Sequence, residues 1–213
     1  MRKDISAAID KLKSNGIDPD CINVSISSNL NLSGWLNLSE PECAISVYFA
    51  EIELYTDENF ETKETIGKAK CYFLRGYDWP NEGFVDLRDL ADSMSGNLLT
   101  AIVPVTDDDG VLLDDYFGSN VLYIDQFYIK PEYRQKGIGS LVFPLLLDIL
   151  SQDVGAVTII PAPTEDNGEK RIKSDHPNYK LILNDMCKFI MGFGFFCADR
   201  QNRVWVKNTQ LRD

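Results

Sequence analysis

Between Val121 and Leu150 the chain changes its hydrophobic period, and that change limits what the middle of the molecule can be. Val121–Ile129 is rich in β-branched and aromatic side chains and stops just before Pro131, the pattern of a mostly buried strand ended by a proline. From Ile138 the apolar residues fall instead at Leu141, Val142, Leu145, Leu146, Ile149 and Leu150, which puts them on one face of a helix. Between strand and helix lies Arg134-Gln-Lys-Gly-Ile-Gly139, whose two glycines let the backbone turn tightly and approach a ligand closely. A glycine-rich turn that opens a helix is an anion site, because unsatisfied N–H groups and the positive end of the helix dipole both face it.

Arg134-x-x-Gly137-x-Gly139, preceded by Ile129-Lys-Pro-Glu-Tyr133 and followed by an apolar helix, resembles the acetyl-CoA motif of the GNAT acetyltransferase superfamily. A lone Gly-x-Gly is a weak signal, but here strand, proline, tyrosine, loop and helix stand in the family's order. The alternative is a strand-turn-helix connection whose glycines serve packing alone, which leaves Arg134 and Lys136 beside them unexplained. The resemblance implies that the motif strand splays from its neighbour and that the exposed backbone groups of Phe127, Tyr128 and Ile129 pair with the pantetheine arm. It implies further that Gln135, Lys136, Gly137, Ile138, Gly139 and Ser140 hold the pyrophosphate through main-chain N–H groups, with Arg134 and Lys136 adding charge. Pro144, inside the helix, is expected to remove a hydrogen bond and kink the axis.

The rest of the chain supports a globular fold around this unit. With 213 residues and 44% hydrophobic side chains it can bury a large core in one domain. No apolar run approaches the length of a membrane span, and the N-terminus is amphipathic where a signal peptide would be apolar, so no membrane partner is expected. The five cysteines are odd in number, scattered and free of C-x-x-C spacing, which points to reduced thiols and a cytoplasmic setting. His176, the single histidine, has no nearby thiol, so no metal is expected. The formal charge of -12 disfavours nucleic acid as a partner and favours a cationic acceptor, although acidic runs such as Asp107-Asp-Asp109 also read as plain solvated loops.

Along the chain, residues 1–15 read as a short amphipathic helix, and Cys21–Ser28, Cys43–Tyr55 and Thr65–Leu74 as strands, with Asp57-Glu-Asn as a turn. Asp86–Val103 reads as one helix, Ala156–Ile160 as a strand, Thr164–Asn178 as a polar connection, Tyr179–Met191 as the last helix and Val204–Val206 as a final strand. This order is similar to the GNAT fold, an α/β (α+β) arrangement with a mixed, mostly antiparallel central sheet flanked by helices. By that resemblance the chain is a single domain with a divergent N-terminal extension (1–42), an acceptor-side half (43–120) and an acetyl-CoA-binding half (121–213). The N-terminal hundred residues depart from the family, since three strands come before the main helix.

An acceptor amine is protonated at neutral pH and must lose a proton before it can attack a thioester. Asp125 is the candidate base: it stands in the motif strand among Leu122, Tyr123, Ile124, Phe127 and Tyr128, where a carboxylate needs a role or a partner. Many amine-acetylating members of the family carry an acidic residue four positions before the one matching Ile129, so the resemblance implies the same role. The other reading is that Asp125 holds a neighbouring loop by hydrogen bonds. Asn184 lies one residue out of register with a family asparagine that touches pantetheine, and Phe189, Phe193 and Cys187 read as core. Where the family often has a tyrosine acid four positions before the glycine of a Gly-Phe pair, here Gly194-Phe195, this chain has Ile190. The expected activity is transfer of an acetyl group from acetyl-CoA to a primary amine, on a small molecule or a peptide. A homodimer is compatible with it. The competing class is a CoA-binding module that has lost turnover.

Overall fold

A computed structural model describes residues 2–29, 44–57, 59–78, 83–165, 168 and 170–209. Helix α1 (Arg2–Ser14) leads into strand β1 (Ile22–Asn29), followed by β2 (Ile45–Tyr55) and β3 (Lys63–Leu74). A two-residue ladder, β4 (Tyr77–Asp78) with β5 (Gly83–Phe84), precedes helices α2 (Leu87–Met94) and α3 (Gly96–Ile102). Then come β6 (Asn120–Ile129), α4 (Ile138–Leu150), β7 (Val154–Ile159), α5 (Tyr179–Met191), β8 (Phe196–Asp199) and β9 (Val204–Asn208). The expected strand start at Cys43, Glu58 of the expected turn and the end of the N-terminal extension lie outside the described residues.

One sheet of seven strands, in the order β1-β2-β3-β6-β7-β9-β8, carries the architecture. Its neighbours are antiparallel except β6 and β7, which run parallel and are joined through α4. Strands in the middle must bury both faces, and their sequences are apolar accordingly. Leu122, Ile124, Val157 and Ile159 face α4 and the end of α5, while Val121, Tyr123, Ala156 and Val206 face α2 and α3. Helix α1 packs on α4 through Ala8 and Leu12, over Ala50, Ile52 and Ile66 of the sheet. The N-terminal segment is thus part of the core at both α1 and β1.

The single helix expected over Asp86–Val103 is two. Ser95 has an extended backbone (φ -171, ψ 149) and its hydroxyl accepts from the Leu98 N–H, so it ends α2 and caps α3. Asp86 caps α2 in the same way, accepting from the N–H groups of Arg88 and Asp89. Helix α4 continues through Pro144 as one element. Strand β8 and the β4–β5 ladder were not expected; both are too short for a clear alternating pattern.

Candidate active site

The motif strand β6 has two unlike ends. Up to Ile124 it pairs with β7 on one side and β3 on the other. At Asp125 the register with β3 slips, Lys70 facing Gln126 and Cys71 facing Ile124, so Asp125 is the extra residue of a β-bulge. Beyond it β6 stays on β3 as far as Ile129, whereas pairing with β7 has ended at Ile124 and Ile159. The two parallel strands therefore part at Asp125. The alternation of strand backbone groups decides which residues face the gap. The Tyr128 carbonyl and the Lys130 N–H turn to β3, the first lying against Gly67 and the second bonding the Ile66 carbonyl. Phe127 and Ile129 consequently turn to the open side. Tyr128, expected to offer backbone groups there, turns its carbonyl to β3 instead.

The turn after β6 is held from two directions. Glu64 of β3 accepts from Lys130 Nζ (2.7 Å) and the Tyr133 hydroxyl (2.8 Å), which ties the Pro131–Tyr133 turn to the sheet and holds the Glu64 carboxyl below its ordinary range. Arg134 Nε donates to the Ile129 carbonyl (2.8 Å), and its guanidinium lies 5.4 Å from the centre of the Tyr128 ring. Lys136 stands over Tyr133 at 5.3 Å. Gln135 (φ 59) and Gly137 (φ 101) take left-handed conformations, and α4 begins at Ile138.

The two motif glycines have different reasons to be glycine. At Gly137 a Cβ would stand 2.8 Å from the Ala8 carbonyl of α1 and 3.3 Å from Leu12, on a backbone that disfavours any side chain. Packing alone explains it. At Gly139 a Cβ would meet only ring atoms of Phe189 and Phe127 at 3.6 to 3.7 Å, which is ordinary contact. The fold does not require glycine there. Phe127 and Phe189 stack (6.2 Å, 11°) at the head of an aromatic cluster with Phe143, Phe193 and Phe195, in keeping with the core role expected for Phe189 and Phe193. Ser140 is half-buried, and Asn184 is exposed on α5.

Asp125 is not the solitary carboxylate expected of an apolar strand. Its side chain is 26% exposed, with Lys70 Nζ 3.7 Å from Oδ2, Arg171 Nη2 3.9 Å from Oδ1, and the Tyr123 hydroxyl donating to Oδ1 at 3.4 Å. The bulge aims it away from α4, onto the face that Lys70, Tyr72 and Tyr123 share. Tyr72 and Tyr123 stack there at 6.1 Å. Burial drives the Tyr123 hydroxyl well above its ordinary pKa, and the Asp125 charge pushes it the same way, so it is a donor at any ordinary pH. Burial works to lower the Lys70 ammonium, but Tyr72 and Asp125 outweigh it and the net shift is upward.

Arg171 arrives from the expected polar connection, which folds back on itself. Thr164 and Arg171 form an antiparallel bridge, flanked by N–H bonds from Glu165 to Lys170 and from Ile172 to Pro163. Gly168 at its tip lies over the Tyr128 ring, and its carbonyl accepts from the Gln126 amide. Lys70, Tyr72, Gln126 and Arg171 escaped the reading of the chain by itself. For Lys70 and Tyr72 the signal was a basic and an aromatic residue two apart in a strand, hence on one face; for Arg171 there was none. Ile190, where the family often has a tyrosine, is 3% exposed in the core between α4 and α5.

A profile of the Acetyltransferase (GNAT) family matches residues 52–173, more than half of the chain, so the chain belongs to that family. No curated protein matches it. Among solved structures it is similar to a mutant AtaT toxin bound to the C-terminus of the antitoxin AtaR (10% identity, TM-score 0.41, 89% of this chain and 94% of that one). It is similar also to the loading GNATL domain of CurA from Lyngbya majuscula (12% identity, TM-score 0.36, 90% of this chain and 99% of that one). Among the described residues no helix is long and apolar enough to cross a membrane.

Proposed function

We propose that this chain is an N-acyltransferase that moves an acetyl group from acetyl-CoA to a primary amine by direct attack, working in the cytoplasm. The observation that carries the reading is the parting of β6 and β7 at Asp125, which leaves Phe127 and Ile129 facing a gap that leads to the turn opening α4. Acetyl-CoA supplies the activated acetyl group, and its sulfur leaves with the electron pair of the broken bond. The turn Gln135–Ser140 receives the pyrophosphate through N–H groups at the positive end of α4, with Arg134 and Lys136 beside it. The backbone of Phe127 and Ile129 aligns the pantetheine arm, and Gly139 leaves room for it. Asp125 accepts the proton that the amine loses as its nitrogen bonds to the acetyl carbon, directly or through a water. Lys70 and the Tyr123 hydroxyl keep that carboxylate in place.

With Ile190 in the core, that position of α5 offers no proton donor, so the departing thiolate takes its proton from solvent. The rate of CoA release with a responsive amine, followed from about pH 6 to 10, is expected to rise and to show no falling limb from loss of a tyrosine proton. A basic limb that vanishes on replacing one tyrosine would sink this account of the leaving group. The second reading is a CoA-binding module without turnover, which Ile190 and the two cations around Asp125 favour. Acetyl-CoA binding with no CoA release across a broad amine panel would establish it.

A further inference from the structure

A cavity of about 270 Å³ opens beyond the C-terminal end of β7, and Arg171 in its wall comes within 3.9 Å of Asp125. Ile160 and Pro163 wall it on one side, Tyr179 at the start of α5 on another, and Arg171 and Arg203 reach it from two separate turns. Arg203 Nη1 donates to the Tyr179 hydroxyl at 2.8 Å, with the guanidinium 5.7 Å from the ring centre. Its backbone is left-handed (φ 57), in a turn that Asp199 fastens by accepting from the N–H groups of Gln201 and Asn202. Arg171 is 45% exposed; it stands 3.9 Å from Asp125, too long for a hydrogen bond, and bonds the Tyr123 hydroxyl, which leaves its other N–H groups for a ligand. Among the described residues no carboxylate lines the cavity. In a chain of net charge -12, a cavity with two guanidiniums and no acid runs against the average. The positive end of α5 adds to it.

We propose that this cavity binds the carboxylate of the acyl acceptor, so that the acceptor is a small amine bearing a carboxylate, of the size of an amino acid. The proposal rests on the acyltransferase reading, and it replaces the cationic acceptor that overall charge suggests. Planar guanidiniums match a carboxylate in two-point contact, and a volume of about 270 Å³ suits a molecule of amino-acid size. One guanidinium, that of Arg171, separates the cavity from Asp125. A carboxylate held there leaves the amine of the same molecule beside the base. Polyamines would bring a second positive charge to two arginines, and a lysine side chain would bring no carboxylate.

Equilibrium titration of the common L-amino acids, their amides, phosphoethanolamine and spermidine into the acetyl-CoA-saturated protein tests this, with CoA release followed in parallel. One or more amino acids should bind at least tenfold more tightly than the matching amide, and Arg203→Gln should weaken that binding roughly tenfold to a hundredfold, as for a lost charged hydrogen bond. Tyr179→Phe, which releases Arg203 while keeping the ring, should weaken it less. Affinity for acetyl-CoA should not change in either. Amides or spermidine binding as well as amino acids, no binding by any of the panel, or indifference to both substitutions would overturn the proposal; tighter binding of phosphoethanolamine would make it a phosphate site instead. Amino acids that bind through Arg203 without CoA release would leave the cavity assignment standing and remove acyl transfer. CoA release with plain amines alone would do the reverse.

Discussion

The turn at the head of α4 and the cluster around Asp125 are served by the same strand, one beyond its end and one within it, yet they are assembled in opposite ways. The first is one stretch of chain, Arg134–Ser140, backed by α1 and preceded by a turn that Glu64 ties to β3. The second draws Lys70 from β3, Tyr123 and Asp125 from β6, Arg171 from the bridge after β7 and, at the edge of the cavity, Arg203 from the β8–β9 turn. A phosphate-binding turn needs only backbone N–H groups in sequence, so its chemistry can be contiguous. A site for one particular acceptor needs side chains converging from several directions, and these come from wherever the sheet brings them. The first region is accordingly where a family shows itself, and the second is where a member acquires its own substrate.

Substitutions can pull this contrast apart. The largest effect is expected at Gly137, where Gly137→Val forces a branched side chain onto a left-handed backbone and against α1. A loss of about 3 kcal/mol of stability should follow from strain and overpacking together, read from denaturant unfolding. A fully stable variant would mean that α1 can leave the turn freely. On the other side, Asp125→Asn should keep acetyl-CoA affinity and lower CoA release roughly 10²-fold, the weight of a general base. Unchanged turnover would leave Asp125 with the loop-holding role that its contact with Arg171 also fits.

The sheet between the two regions can be tested through Cys71, on the α4 face of β3 at the bulge. Burial, with a smaller push from Asp125, raises its thiol from an ordinary value near 9 to about 12. The folded state then keeps a proton that the unfolded state gives up, so this contribution is complete below about pH 9 and is lost as pH rises toward 12. Stability should fall by about 2 kcal/mol by pH 10.5 from this group, on the scale of 1.4 kcal/mol per pH unit. Cys71→Ala should flatten that part of the profile, measured by chemical unfolding at several pH values. An unaltered slope would place the thiol in contact with solvent.

The smallest effect is the most specific. Gly139→Ala meets only ordinary contacts and lies in the first turn of α4, so stability should hold or rise by about 0.4 to 1 kcal/mol. Acetyl-CoA affinity should nevertheless drop by about tenfold, because the added methyl narrows the way past Phe127 and Phe189. If the variant is both stable and unaffected in binding, Gly139 has no part in the site.

What the sequence disclosed follows the same division. The period change at Val121–Leu150 and the glycine turn were legible because local backbone geometry dictates them, and α4 and α5 fall on the expected spans. Ser95 was misread because a helical apolar stripe runs across it, while its side chain, accepting from the Leu98 N–H, restarts the helix. The pairing of Asp125 with Lys70 and Arg171 was out of reach: it depends on a bulge and on the fold of a polar connection, and neither leaves a periodic trace. The two glycines read alike in the motif, and only the packing of α1 separates a structural Gly137 from a Gly139 with space before it.

The most direct test is a crystal structure with acetyl-CoA bound. The pyrophosphate should lie within hydrogen-bond distance of the N–H groups of Gly137–Ser140, the pantetheine arm along Phe127 and Ile129 on the side facing β7, and the sulfur beside Asp125. Acetyl-CoA bound away from the gap between β6 and β7, or with its pyrophosphate away from the turn that opens α4, would contradict that placement.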